Sequence, residues 1–246
     1  MAVEAEKEAK ESLEPVHRRR GARYVGDIVF GALDGSITTF AIVAGAAGAS
    51  LSPAVVLILG FANLFGDGAS MALGNYLGTK SEEEYRQRQK RLEEWETENL
   101  PQQEKEEVRQ IYYDKGFRDK DLDRAVEIIT SDKKVWIDTM MREELKVIDD
   151  DKSASLSGLA TFAAFVSVGL VPLLAYVAAL LVPALQQSAF PAAIVMTFLA
   201  IFSVGSARSL VTGKHWYRAA LEMTLVGGAA AVIAYTIGLL LGTLVG

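Results

Sequence analysis

Long uncharged stretches alternate with one strongly charged block along the chain. Positions 35–66, 153–207 and 223–246 contain no Asp, Glu, Lys or Arg, whereas charges crowd into the N-terminal arm and positions 80–152. A helix needs about 20 mainly apolar residues to cross a bilayer, and each uncharged stretch is long enough. The pattern therefore predicts an all-α, polytopic membrane protein that carries a soluble helical insert.

We predict five transmembrane helices from the apolar stretches and the breaks between them. They cover about 24–48, 54–77, 153–182 with a kink at Pro172, 192–210 and 219–246. The resulting parts are an N-terminal arm (1–23), transmembrane helices one and two (24–79), the insert (80–152) and transmembrane helices three to five (153–246). The insert thus lies between the second and third spans.

Basic residues indicate the orientation in the membrane. A cluster from His17 to Arg23 precedes the first span, and Arg208, Lys214 and Arg218 lie between the fourth and fifth spans. Because positively charged loops stay in the cytosol, we expect a cytosolic N-terminus and insert and an external C-terminus. The first residues lack the apolar core of a signal peptide. This favours a prokaryotic cell membrane over a vacuolar-type membrane of a eukaryote.

The charged block has the signals of three or four short helices. Ser81 with Glu84 has the spacing of a capping box that begins a helix, Pro101 suits the first turn of the next, and Gly116 suits its end. Two more helices are expected to begin near Asp119 and Asp132. We therefore predict a small helical bundle.

Composition excludes several functional classes. With no Cys and only two His among 246 residues, the chain has no disulfides, thiolate zinc sites or imidazole-rich metal sites. A net charge of −6 argues against binding to nucleic acid. The phosphate-binding loop, dinucleotide fingerprint and nucleophile elbow are absent from the sequence. We therefore expect neither an enzyme nor transport driven by ATP within this chain.

Acidic residues at membrane depth form the first candidate site. Asp27 and Asp34 share a face of span one, with Asp27 near the cytosolic entrance and Asp34 deeper. Asn63, Asp67 and Met71 share a face of span two at intervals of four residues. An ionised Asp near the bilayer centre costs roughly 2.5–3.5 kcal/mol, so these residues need a functional reason. Carboxylate, amide and thioether ligands together suit a first-row divalent cation. A desolvated carboxylate that binds a proton when the metal leaves would couple the two ions.

Plainer interpretations exist for parts of this site. An isolated buried Met such as Met71 is commonly core filler, and Asp27 could cap its helix or pair with Arg23. The small-residue motifs also have two interpretations: they fit either helix packing within one subunit or an interface between two copies. They are Gly31/Gly35, Ala41/Gly45/Ala49 and Gly74/Gly78.

A second candidate site lies in the insert, where metal-ligating side chains recur at helical spacing. The pairs are Glu93/Glu96, Glu104/Glu107 and Met140/Glu144. Three helices that pack on those faces would enclose a carboxylate cluster with a thioether at its edge. Glutamates at helical spacing in so acidic a sequence are commonly solvated surface residues, and Trp136, one turn before Met140, weighs against that alternative. The block has no His, so a di-iron oxidase site is not expected.

Together these residues resemble the vacuolar iron transporter family, the ferrous iron and manganese exporters of plant and fungal vacuoles with prokaryotic relatives. The matching motifs are Asp34-Gly35, Ser70-Met71-Ala72-Leu73-Gly74-x-Tyr76-Leu77, Lys80-Ser81-Glu82 and Trp136-x-x-x-Met140-Met141-x-x-Glu144. The resemblance, to a prokaryotic-type member, implies five transmembrane helices per subunit in a homodimer. It also implies a translocation path between the subunits and a cytosolic metal-binding domain.

The resemblance also implies roles for single residues. Asp34 and Met71 fall on pathway ligands, and the paired insert residues fall on the cytosolic metal site with Met141 adjacent. Plant members carry a Glu where this chain has Asn63. Asp67, one turn later, is the candidate replacement.

The sequence thus predicts a divalent-metal/proton antiporter that exports Fe²⁺, and also Mn²⁺, from the cytosol, with Zn²⁺ or Co²⁺ as further substrates or surrogates. Its partners would be a second copy of the chain, membrane lipid, metal ions and protons. Two alternatives remain: a membrane-anchored metal sensor or buffer, and a transporter of another cation gated by the metal-binding insert.

Overall fold

The described residues are almost entirely helical. A computed structural model of the chain describes residues 23–147 and 152–245, and the predicted N-terminal arm before Arg23 lies outside them. The α-helices are α1 (Val25–Gly48), α2 (Pro53–Asn99), α3 (Pro101–Asp114), α4 (Asp119–Ser131), α5 (Lys133–Glu143), α6 (Ala154–Gly169), α7 (Val171–Leu181), α8 (Ala189–Thr212) and α9 (Trp216–Val245). A 3-10 helix (Pro183–Ser188) precedes α8. These residues contain no β-strand, which confirms the all-α prediction.

Several helices have the length and apolar composition of membrane spans. Within the described part of the chain, four helices qualify, and the pair α6–α7 adds a fifth if it forms one span. The axes of α6 and α7 differ by 43° across a break at Leu170. Pro172 lies in the first turn of α7, where it lacks a backbone N–H to continue the helix. The predicted kink is therefore confirmed.

The predicted helix start at Ser81 is wrong. Helix α2 continues for 47 residues from Pro53 to Asn99 without interruption. After Gly78, positions 79–99 are mostly Glu, Gln, Arg and Lys, which favour a helix interior, and no Pro occurs before Pro101. The local pattern of a capping box was therefore not enough to begin a new helix.

The chain divides into two compact units. One comprises Met1–Leu77 with Lys152–Gly246, and the other comprises Gly78–Asp151. The first holds the apolar helices around a core of Leu, Val, Phe and small residues that includes Leu64, Phe165 and Leu173. Helix α2 contributes its first part to this unit and its last part to the other.

Close backbone contacts join α1 to its neighbours in the first unit. A Cβ atom added at Gly31 or Gly35 would overlap the backbone of Thr161 or Phe165 on α6. Likewise, a Cβ at Gly238 on α9 would overlap the backbone of Gly45. Two of the small-residue motifs therefore serve packing within the chain, which was the plainer interpretation.

This contact predicts opposite effects for two glycine substitutions in one helix. Gly31→Ala forces α1 away from α6, so we expect a lower melting temperature. A Cβ at Gly26 has no described atom within 4 Å apart from the adjoining part of α1. Gly26 lies in the first turn of α1, where Ala should be neutral or slightly stabilising because Ala favours a helix more than Gly does. Thermal unfolding of the detergent-purified variants measures the difference, and an equal response would contradict the close packing.

The second unit has its own hydrophobic core. As predicted, helix α3 begins at Pro101 and ends before Gly116. Gly116 has a φ of +102°, which favours glycine. The Asp132 carboxylate caps α5 by accepting hydrogen bonds from two backbone N–H groups. The core side chains are Val108, Leu122, Val126, Ile129, Trp136 and Met140. This core joins α3, α4 and α5, and the last part of α2 belongs to the same unit.

Candidate functional site

Two carboxylates from neighbouring apolar helices approach one another in the first unit. Asp34 on α1 and Asp67 on α2 interact electrostatically, and both are half-buried. Among the described residues, neither carboxylate has an ion-pair or hydrogen-bond partner. Two like charges without a counter-ion at this depth are costly, which favours a cation as their ligand.

The other two predicted pathway residues of α2 are also half-buried. Asn63 lies one turn before Asp67, and its side-chain nitrogen is buried without an acceptor among the described residues. Met71, one turn after Asp67, packs against the hydrophobic core. The core-filler interpretation therefore accounts for part of the Met71 side chain.

Asp27 differs from the other membrane-depth acids because it has strong partners. Its side chain is buried, and Oδ1 accepts hydrogen bonds from Lys152 Nζ at 2.9 Å and Asn75 Nδ2 at 3.0 Å. The sequence offered Arg23 as its counter-ion, whereas the structure brings in Lys152 from 125 residues away. The one available signal was that Lys152 is the last charge before a long uncharged run.

The predicted acidic residues of the insert lie near one another in the second unit. Burial, and then the charges of Glu144, Glu96 and Glu107, raise the pKa of Glu93 to about 7. Burial, and then the charges of Glu107, Glu93, Glu96 and Glu144, raise the pKa of Glu104 to about 8. Burial and nearby glutamates also raise the pKa of Glu144. All five predicted glutamates therefore belong to one electrostatic cluster.

Individual members of this cluster differ in exposure. Glu93 and Glu104 are buried, and one oxygen of each lacks a hydrogen-bond donor among the described residues. Glu144 is exposed and follows the last residue of α5, where its N–H donates to the Met140 carbonyl. Met140 is fully buried in the core, whereas Met141 is half-buried. Met140 is thus shielded from solvent, whereas Met141 is partly accessible to it.

The glutamates are near but not converged. In residues 23–147 and 152–245, no group of three His, Cys, Asp or Glu side chains is close enough to hold a metal ion. Mutual repulsion of carboxylates opposes such convergence, and a bound cation removes that repulsion. The cluster is therefore an acidic, partly protonated centre.

The fold and these side chains define an integral membrane protein with acidic residues in apolar helices and an acidic helical unit. A profile of the VIT family matches residues 25–239, and the chain belongs to this family. The resemblance drawn from the sequence motifs is thus confirmed.

Relatives match along most of the chain. A vacuolar iron transporter of Toxoplasma gondii is 38% identical over 94% of this chain and 78% of its own length. A vacuolar iron transporter of Plasmodium falciparum is 36% identical over 87% of this chain and 81% of its own length. Vacuolar iron transporter 1 of Arabidopsis thaliana is 34% identical over 86% and 83% of the two chains.

Proposed function

We propose that the protein is a divalent-metal/proton antiporter that exports Fe²⁺, and also Mn²⁺, from the cytosol. The observation that carries the proposal is the approach of Asp34 and Asp67 in two apolar helices with no counter-ion from the described residues. The names of the relatives, which are iron transporters, support iron as the cargo. Met71 adds a soft ligand on the same face of α2, which favours a first-row transition ion.

The insert is proposed to collect the metal on the cytosolic side. Glu93, Glu96, Glu104, Glu107 and Glu144 supply hard oxygen ligands, with Met140 and Met141 at the edge. Because the pKa of Glu104 is raised to about 8, its carboxyl group is protonated in most molecules at neutral pH. Metal binding must then release protons, so the insert takes up metal best when the cytosol is not acidic.

Metal flux in proteoliposomes tests the function directly. The full chain should accumulate Fe²⁺ or Mn²⁺ in vesicles with an acidic lumen, and the lumen should become less acidic as metal enters. A protonophore should abolish the accumulation. Metal entry without proton movement would contradict antiport. Metal binding without any flux would identify the membrane-anchored sensor or buffer instead.

A homodimer is proposed from the open face of α2. Ala62, Gly66, Ser70, Gly74 and Gly78 recur every four residues on this helix. Apart from the adjoining part of α2 itself, no described atom lies within 4 Å of a Cβ placed at Gly66, Gly74 or Gly78. Small residues in an open row let a second helix approach closely in lipid. This face therefore suits a second copy, which would bring two Asp34–Asp67 pairs to a shared path.

Cysteine cross-linking tests the dimer. The chain has no Cys, so each variant carries a single thiol. We expect Ser70→Cys to form a disulfide-linked dimer in membranes under mild oxidation. Leu225→Cys on α9, also exposed, serves as the matched control and should stay monomeric. Equal cross-linking of the two variants would reject α2 as the interface.

A further inference from the structure

A polar network joins three helices around Asp27. The Asp27 side chain is 9% exposed, and that of Lys152 is 21% exposed. Both Lys152 Nζ and Asn75 Nδ2 donate to the same oxygen, Oδ1. The other oxygen, Oδ2, is buried without a partner among the described residues. One carboxylate oxygen is thus neutralised while the other still lacks a donor or cation.

The positions of these groups are fixed by the surrounding backbone. Asn75 Nδ2 also lies 2.7 Å from Thr161 Oγ1 and 3.3 Å from the Ser157 carbonyl oxygen on α6. A Cβ at Gly158 would lie 2.7 Å from the Ala72 carbonyl oxygen, so α6 and α2 touch at this level. Asn75 can therefore not turn away from Asp27 without losing bonds to α6.

The residues next to Asp27 and Lys152 are tied together as well. The Ser153 backbone N–H donates to Tyr24 Oη at 3.0 Å. This bond holds the start of α6 beside the start of α1. The Lys152 ammonium, a compact charge on a flexible stem, is therefore held within reach of Asp27 by the backbone on either side.

We propose that Lys152 is the resident counter-ion of Asp27, and that a divalent cation must displace its ammonium in order to bind this carboxylate. This inference rests on the proposed function, since it takes Asp27 as a station for the metal. A metal ion and an ammonium group on one carboxylate repel each other in a poorly hydrated site. Lys152 therefore sets the metal affinity of Asp27, and Asn75 holds the carboxylate in place during the exchange.

The competing explanation is a purely structural ion pair. Loss of one partner from a buried pair leaves an uncompensated charge and destabilises the fold. Such a pair would affect the amount and stability of the folded protein without changing how tightly the protein binds metal. Affinity and stability therefore separate the two explanations.

The first test compares Lys152→Met with the parent in Mn²⁺ flux. We expect the KM for Mn²⁺ to fall about tenfold in Lys152→Met, because the competing charge is gone. Lys152→Arg keeps the charge and should retain the parental KM. Lys214→Met, which removes an exposed lysine near Glu222, is the matched control and should change nothing. In an Asp27→Asn background, Lys152→Met should no longer alter the KM.

A second test measures binding without transport. Mn²⁺ is titrated calorimetrically into the full chain in detergent, in a Glu93→Gln/Glu104→Gln background that weakens binding at the insert cluster. Lys152→Met should bind Mn²⁺ more tightly than this background. An unchanged affinity with a lower melting temperature would overturn the proposal and leave a structural ion pair. No Mn²⁺ binding in either form would overturn it as well.

The two tests separate this inference from the proposed function. A parent chain that binds Mn²⁺ but carries no flux would refute transport, and the titration alone would then decide the role of Lys152. A parent chain with proton-coupled flux and a KM unaffected by Lys152→Met would keep the transport function and reject the counter-ion.

Discussion

Replacing Asp34 with Asn is expected to reduce metal flux by at least about 100-fold, because even a residue that only supports a metal ligand contributes about 10–100-fold. Asn keeps the shape of the side chain but removes the charge that attracts the cation. Asp34→Glu retains the charge and should keep measurable flux. Initial rates of Mn²⁺ uptake into proteoliposomes, normalised to reconstituted protein, measure the effect. Flux by Asp34→Asn at the parental rate would remove Asp34 from the pathway.

The same assay tests the role of Asp67. Asp67→Asn should lose flux as Asp34→Asn does, because the two carboxylates interact across α1 and α2. The double variant Asn63→Glu/Asp67→Asn moves the carboxylate one turn earlier on the same face of α2. If Asp67 replaces a carboxylate at that position, the double variant should recover part of the flux. Full activity of Asp67→Asn alone would contradict this assignment.

Removal of the two buried insert charges should stabilise the protein and weaken its metal binding. The pKa values of Glu93 and Glu104 rise from 4.5 to about 7 and about 8, so the fold favours their protonated forms. The parent should therefore lose stability as pH rises from 4.5 through about 8. Gln resembles the protonated form, so Glu93→Gln/Glu104→Gln should lose this pH dependence and melt higher at pH above 8.

Metal should counteract the loss of stability at high pH. If the insert binds metal as proposed, the deprotonated glutamates are the ligands, so Mn²⁺ should raise the melting temperature of the parent more at high pH than at low pH. The double Gln variant should bind Mn²⁺ at the insert at least about tenfold more weakly. Glu82→Gln, at an exposed position of α2, is the matched control and should behave as the parent. A parental stability that does not vary with pH would contradict the buried cluster.

The hydrophobic pattern predicted the helices well because burial in lipid depends on local composition. Uncharged runs located the apolar helices, and Pro172 located the bend between α6 and α7. Ser81 misled because a capping signal is weak against a long run of strong helix formers. The presence of a helix in an uncharged run was therefore easier to predict than the start of a helix from a capping signal alone.

Spacing predicted which residues belong to the two candidate sites, but it did not give all of their contacts. Spacing placed Asn63, Asp67 and Met71 on one face, but only the fold shows that Asp34 interacts electrostatically with Asp67. The pairing of Asp27 with Lys152 depends on how α1 and the start of α6 meet, which no local pattern encodes. Local pattern also does not show which small-residue motifs are covered by a neighbouring helix, because that depends on how the helices pack.

The glycine contacts of α1 also limit where water can go. Backbone atoms of α1 touch α6 at Gly31 and Gly35 and touch α9 at Gly45, leaving no space for a solvent chain along these contacts. Protons hop along connected waters, so no water-borne proton passes between the helices at these three positions. A continuous file of water inside this unit would therefore have to bend around these three contacts, which lengthens any passive route for protons.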